Sequence, residues 1–404
     1  VDSFHIDPKR SLAKAAMNQA ETMSSRQRVL TALDHREPDR IPIDLGGFQT
    51  GIHRKAYEAL IDYLGYTETP VTLDPVQQLV TPSERVLERF HVDVRYVRAG
   101  APAGFRGEIA QNRRDGRLWH DLKDEFGVVW SMPDDQQLYM DISHHPLAHA
   151  SIGDLQDYPF PRGDDPARFT GLRERALEIR RNSPYALSSG ICGVTYEVCW
   201  YMRGLEQWFL DMKENPGFCA ALLDRMSQYW IDWMSGFLSE VGDLLDVIMI
   251  GDDLAGQHGP LFSPAVYRSL VKPRQKRVTE KIKELTKARL WYHTCGSCTE
   301  YIPDLLENGV EILNPVQIGA RGMDPAWLKE RFGSRLSFWG GGIDSQHTLP
   351  FATPDEVAGE TAKNIAIFKP GGGYVFSNVH NIQAGVPPQN IIALYDTAYE
   401  RGFY

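Results

Sequence analysis

The octet Trp291-Tyr292-His293-Thr294-Cys295-Gly296-Ser297-Cys298 ends an apolar run with two soft ligands spaced i, i+2. In a strand, alternate residues point the same way, so an imidazole nitrogen of His293 and the sulfur of Cys295 can aim at one point. Gly296 then lets the backbone turn away. This is half of a zinc site. Cys298 completes a CxxC with Cys295, which reads either as a redox pair or as two arms of a structural zinc site. No second CxxC exists to make four ligands, and the chain from Thr299 reads as helix. Cys298 is therefore expected as a packed thiol and the lesser metal candidate.

Other polar residues follow apolar runs. Asp252 and Asp253 could supply a ligand, a proton-transfer group or a substrate hydrogen bond, although acids at strand ends also cap helices. Asp253 is assigned a catalytic role and Asp252 a substrate contact. Gln257, Gln49, His53 and Tyr196 are candidate pocket residues. The aromatics beside Tyr196, namely Trp200, Tyr201 and Trp208, read as packing. Asp93 and Arg95 lie two apart on one strand and could face the same side together, as a buried ion pair or in a catalytic role.

Short β-rich runs alternate with amphipathic helical patterns, the signature of a parallel α/β fold. Strands are expected at 40–45, 92–97, 185–190, 244–251, 289–293, 311–315, 336–341 and 374–377. Helices are expected at 218–241, 264–285, 299–308, 354–367 and 388–401, the last two with Pro in the first turn. Eight strands predict a (β/α)8 TIM barrel. Residues 24–404 read as one barrel domain with an antiparallel β insertion at about 101–150 beside the barrel mouth. Asp115-Gly116 and the alternation around Trp119 carry that reading. Residues 1–23 read as an N-terminal extension, disordered or appended, and Met23 resembles a natural start.

In such a barrel the reactive groups sit in the loops at the C-terminal ends of the strands. The strand ends in question are indeed polar or glycine-rich: Asp44-Leu45-Gly46-Gly47, Gly251-Asp252-Asp253, Asn314 to Gln317, Gly340 to Gln346, and Asn378 to Asn381. Asn314, Gln317 and Gln346 join the expected substrate contacts.

Composition excludes several classes. No apolar run approaches the roughly 18 residues that would cross a bilayer, so a membrane is not an expected partner. The net charge of -10, with no cluster of Lys and Arg, argues against nucleic acid. Five cysteines in 404 residues are too few for a disulfide framework. With no secretory signal in the sequence given, a cytoplasmic location is expected.

From about Arg26 to Tyr399 the chain resembles the uroporphyrinogen decarboxylase superfamily, which includes zinc-dependent methyltransferases acting on corrinoid proteins. The resemblance rests on Pro38-Asp39-Arg40-Ile41-Pro42-Ile43-Asp44, His293-Thr-Cys295-Gly296, 309–317, 340–344, and Gly371-Gly-Gly-Tyr374 leading to Pro387-Pro388-Gln389-Asn390. It implies that Asp344 orients metal or substrate. The decarboxylases carry an arginine-rich loop after the first strand for porphyrinogen carboxylates, whereas this chain has Gly46-Gly47-Phe48-Gln49-Thr50-Gly51. The methyltransferases hold zinc with His-x-Cys and a late cysteine. Here the first two are His293 and Cys295, and the late position falls at Val379-His380-Asn381. His380 is then the third ligand and a catalytic residue, although the decarboxylases have a histidine near this place that binds no metal.

The resemblance thus implies a zinc-dependent methyltransferase with Zn2+ and a corrinoid (cobalamin) supplied by a partner protein. Its small-molecule partner would be a methyl donor or a thiol acceptor, for example in demethylation of a methoxylated aromatic ether, which an aromatic pocket would suit. The alternatives are a decarboxylase of an acid, and a non-catalytic corrinoid- or ligand-binding barrel with structural zinc. The fold group contains monomers and dimers, and a homodimer is an open expectation.

Overall fold

The computed structural model describes residues 20–191 and 193–404. Seven parallel strands form one curled sheet: β1 (Val94–Tyr96), β2 (Ala186–Gly190), β3 (Val247–Gly251), β4 (Arg289–His293), β5 (Ile312–Asn314), β6 (Ser337–Trp339) and β7 (Tyr374–Val375), paired in chain order. The expected strand at 40–45 forms only isolated bridges, because Pro42 has no N–H to give to a ladder. It still closes the ring. Asp44 N–H donates to Phe376 O at 2.8 Å and Phe376 N–H to Pro42 O at 2.8 Å, while Asp93 N–H, just ahead of β1, donates to Ile43 O at 2.8 Å. The fold is a (β/α)8 barrel.

The strands read as continuous apolar runs because both faces are buried. Ile248, Ile250, Leu290, Tyr292, Leu313 and Phe338 face the helical layer. Val94, Val247, Met249, Trp291, Ile312, Trp339 and Val375 fill the inside, where Trp291 stacks on Trp339 at 4.5 Å between ring centroids. Val29 and Leu33 of the helix Ser25–Leu33 join this inner cluster. That helix plugs the N-terminal end of the barrel, starting with a capping box of Ser24 and Gln27.

The helices Pro354–Phe368 and Pro388–Gly402 start on proline as expected, and Pro216–Val241 does so too. The pattern over 264–285 is broken by a π turn at Tyr267–Val271. Pro273 cannot donate to the carbonyl four residues back, and the wider turn absorbs the loss. No helix among the described residues is long and apolar enough to cross a membrane. The insertion is a four-stranded antiparallel sheet of Ile109–Arg114, Arg117–Lys123, Val129–Pro133 and Asp141–His144. Its first hairpin turns on Asp115 and Gly116, both at positive φ, the geometry of a type I′ turn.

The expected Asp93–Arg95 pair does not form. Both side chains lie on the strand face turned away from the barrel interior, and each finds a different partner. Asp93 takes Arg28 at 2.6 Å and Arg40 at 2.7 Å, and Arg28 also binds Asp39 at 2.6 Å. Arg95 pairs with Glu84 at 2.8 Å and lies over the Tyr185 ring. Of the expected extension, residues up to 19 lie outside the described residues. Thr22 and Met23 donate backbone N–H to Asp39, and Glu21 pairs with Arg28.

Candidate metal centre

Strand alternation carries the inward face from Trp291 to His293 at the mouth. Gly251 stands opposite His293 in the register of β3 and β4. A Cβ on Gly251 would come within 2.7 Å of the His293 Cβ, so glycine leaves the room that the imidazole needs. Past the strand, Thr294 N–H donates to Asn314 O at 2.9 Å and Cys295 N–H to Asp253 Oδ1 at 2.7 Å. Gly296 turns at φ +80°, where a Cβ would strike Ala255 O at 2.5 Å. The bend that aims Cys295 is thus fixed from three sides.

His380 arrives from the loop after β7. It is held at φ +59°, a region that a histidine occupies only at some cost. Asn378 Nδ2 donates to its carbonyl. Its ring centroid lies 5.2 Å from that of His293. Cys295 Sγ is 3.4 Å from His293 Nε2, and the ligand atoms of His293, Cys295 and His380 all fall within 4.8 Å of one another.

The hydrogen bonds set the His293 tautomer. Asn314 Nδ2 donates to Trp339 O at 2.8 Å, so Asn314 Oδ1 must accept, and His293 Nδ1–H donates to it at 2.5 Å. The Nε2 lone pair then faces Cys295. Burial disfavours the imidazolium and brings His293 down to about 4. His380 is lowered in the same direction by burial, with His293 adding to it. Both rings are neutral near pH 7, the state that a ligand requires. A thiolate and two imidazoles are a mixed N/S set of the kind zinc takes, and bond lengths of about 2.0 to 2.3 Å put tetrahedral ligands roughly 3.5 Å apart. The three side chains fit zinc with small rotations.

The adjoining pocket has a volume of about 310 Å3. Besides Cys295 and His380, its walls are the amides Gln257, Gln317, Gln346, Asn381 and Gln383, with Ser345 and Val379. Gly296 N–H donates to Gln317 Oε1 at 2.7 Å, and Gln257 Nε2 donates to Gln346 Oε1 at 3.1 Å. Among the described residues its lining holds no Phe, Tyr or Trp, unlike the aromatic pocket expected. Asn314 also differs from expectation: it holds His293 and is not part of this lining.

Other expected site residues are engaged elsewhere. Asp253 stays beside the cluster, 3.8 Å from His293 Nε2, with burial raising its carboxyl. Asp252 is buried and accepts from Thr195, Tyr196 and Glu197 N–H at 2.9 to 3.1 Å and from Gln275 Nε2 at 2.9 Å. It caps the helix Glu197–Arg203 from the neighbouring strand end instead of meeting substrate. Tyr196 is fully buried against Trp208 and Phe262. His53 caps the helix Arg54–Tyr63 through Nδ1, with Nε2 3.2 Å from Leu138 O. Gln49 is buried outside the pocket. Asp344 accepts from Gln346 N–H at 2.7 Å and pairs with His347 at 2.9 Å, a turn cap and not a pocket group. Cys298 is fully buried, its Sγ 3.9 Å from Met323 Sδ, and is absent from the cluster.

Asn381 and Gln383 were not singled out by the sequence, since single amides in loops carry no spacing signal. Asn381 Oδ1 accepts Gly51 N–H at 2.6 Å, tying the last loop to the first. Gln383 Nε2 donates to Tyr139 OH at 3.3 Å, so the arm of the insertion reaches the pocket wall.

A closed (β/α)8 barrel with a His/Cys/His cluster at its C-terminal mouth defines an α/β-barrel protein with a candidate metal centre. Residues 141–401 match the family model of uroporphyrinogen decarboxylase (URO-D), and the chain belongs to that family. It is 22% identical over 253 residues to the uroporphyrinogen decarboxylase of Psychromonas ingrahamii, a match covering 60% of this chain and 66%, just under two thirds, of that protein. With the uroporphyrinogen decarboxylase of Pseudomonas aeruginosa strain UCBPP-PA14 it shares 23% over 297 residues, 68% of this chain and 77% of that one. Among solved structures, a methyltransferase from Methanosarcina mazei superposes with a TM-score of 0.59 at 18% identity, over 94% of this chain and 99% of that one. This likeness shows the shared barrel.

Proposed function

We propose that this protein is a zinc-dependent methyltransferase that moves a methyl group between the corrinoid of a partner protein and a small-molecule donor or thiol acceptor. The observation that carries the reading is the convergence of His293, Cys295 and His380, three ligand atoms within 4.8 Å at the catalytic mouth of the barrel. Three protein ligands leave a coordination position for substrate, whereas a structural zinc usually has four. The full-length likeness to a protein named as a methyltransferase is in keeping with it.

A zinc ion held there would supply Lewis acidity, favouring a substrate thiolate or polarising the heteroatom of a methyl donor. Asn314 keeps the His293 lone pair directed at the cluster, and the left-handed turn at His380 presents the second imidazole. Asp253 is the carboxylate placed to exchange a proton with a bound thiol. The amide walls give a substrate neutral donors and acceptors. Decarboxylation is the second reading, favoured by the names of the relatives. A porphyrinogen is disfavoured by a pocket at the small end of ligand sites with no Lys or Arg among the described residues of its lining.

The test measures bound metal, then follows the corrinoid spectrum as the zinc-loaded protein meets methylcobalamin with thiols, or cob(I)alamin with methyl ethers and thioethers. Turnover lost in Cys295→Ser and His380→Ala supports the proposal. Failure to bind zinc, or turnover unchanged in both variants, removes it. Carbon dioxide release from an acid would favour the second reading.

A further inference from the structure

A cavity of about 610 Å3 lies on the flank of the barrel, between the helices Glu84–Arg89 and Leu172–Asn182, and shares no lining residue with the metal pocket. Leu45, Gly46, Tyr96 and Arg98 line its inner end. Arg98 is unusual among the arginines of this chain. Its Nη2 donates to Gly46 O at 2.7 Å, its Nε is buried without a partner, and among the described residues it makes no ion pair.

A guanidinium drawn this far from water is normally matched by a carboxylate, because a charge left unpaired there is costly. The rings of Phe48 and Tyr96 lie 5.3 and 5.5 Å from it and offer their π faces. Ring faces do not accept the N–H bonds that lie in the guanidinium plane. Asp44 attracts it through space but makes no ion pair with it, giving Oδ2 to Thr50, Tyr96 and Trp339. Burial draws Arg98 down to about 10, which still leaves it charged near neutral pH. The other arginine of the cavity, Arg95, is already paired with Glu84.

We propose that this cavity binds a small monocarboxylate on Arg98. The planar N–H fork matches a carboxylate. Glu88 and Glu178, exposed at the opening, disfavour an ion with two charges such as phosphate. This site stands independently of the metal centre.

The test is calorimetric titration of the protein with propanoate at low salt, in wild type and in Arg98→Gln, Arg98→Lys and His380→Ala. Propanoate binding should weaken at least about tenfold in Arg98→Gln, fall less in Arg98→Lys, and persist in His380→Ala; inorganic phosphate should bind at least about tenfold more weakly than propanoate. Independently of any variant, propanoate should protect Arg98 from phenylglyoxal, read by mass spectrometry. Binding that survives Arg98→Gln, disappears in His380→Ala, or leaves Arg98 unprotected overturns the proposal.

Discussion

Asn314 spends its two polar atoms in opposite directions, accepting His293 Nδ1–H at 2.5 Å and donating to Trp339 O at 2.8 Å. The barrel wall thereby dictates which nitrogen of His293 keeps a lone pair. Outer partners of this kind are typically worth 10–100-fold in metal affinity. Asn314→Ala should weaken zinc binding by about that factor, measured by competition with a chromophoric chelator. An affinity equal to wild type would show that the tautomer is set by something else.

The two cysteines of the octet should separate cleanly. Cys295→Ser should lose most of the bound zinc, while Cys298→Ala should keep wild-type metal content and cost about 1 kcal/mol of stability as a small buried truncation. Elemental analysis beside urea unfolding checks both. Equal metal loss in the two variants would place Cys298 at the ion.

Asp44 gives a pH signature of its own. It is fully buried inside the barrel, and burial pushes its carboxyl up to about 6. The folded state then holds this proton more tightly than the unfolded chain. Its contribution to stability is full below about pH 4 and is lost as pH rises through about 6, a change of about 3 kcal/mol at most. Asp44→Asn should lack this slope, so urea unfolding from pH 4 to 7 should show the wild-type and variant curves converging or crossing instead of running parallel.

Asp93 sits unexposed between Arg28 and Arg40 at the closed end of the barrel. Asp93→Asn leaves both guanidinium groups undercompensated and should cost about 3–5 kcal/mol. Because the pair is far from the mouth, zinc affinity in the folded fraction should stay within about twofold of wild type. A loss below 1 kcal/mol in urea melts would count against the network as a stabilising element.

Much of this architecture can be read from the chain. Val247 to Gly251 and Arg289 to His293 are short apolar runs with an abrupt polar end; the second strand has its expected bounds, while the first begins three residues later than expected and ends where expected. The i, i+2 spacing of His293 and Cys295 does bring both to one place. Roles that depend on which strand ends meet are different. Asp252 looks like a pocket acid in sequence, yet the loop beginning at Thr195 closes over it and takes its oxygens. Asp93 and Arg95 have the right spacing for a pair, but partners from 28, 40 and 84 reach them first. Asn314 was visible as a polar strand end, and only the β4 to β5 register assigns it to His293. Arg98 carried no signal at all, since what marks it is the lack of an ion pair among the described residues.

Cys295 and His380 are about 85 residues apart, with β5, β6 and β7 between them. The three ligands therefore assemble only when the last strand has docked and the segment at 40–45 has shut the ring. A chain stalled before that point, however helical, holds half of a ligand set. Under the proposed function, metal uptake at this centre would act as an assembly checkpoint, distinguishing a closed barrel from a collapsed intermediate that circular dichroism would score as nearly folded.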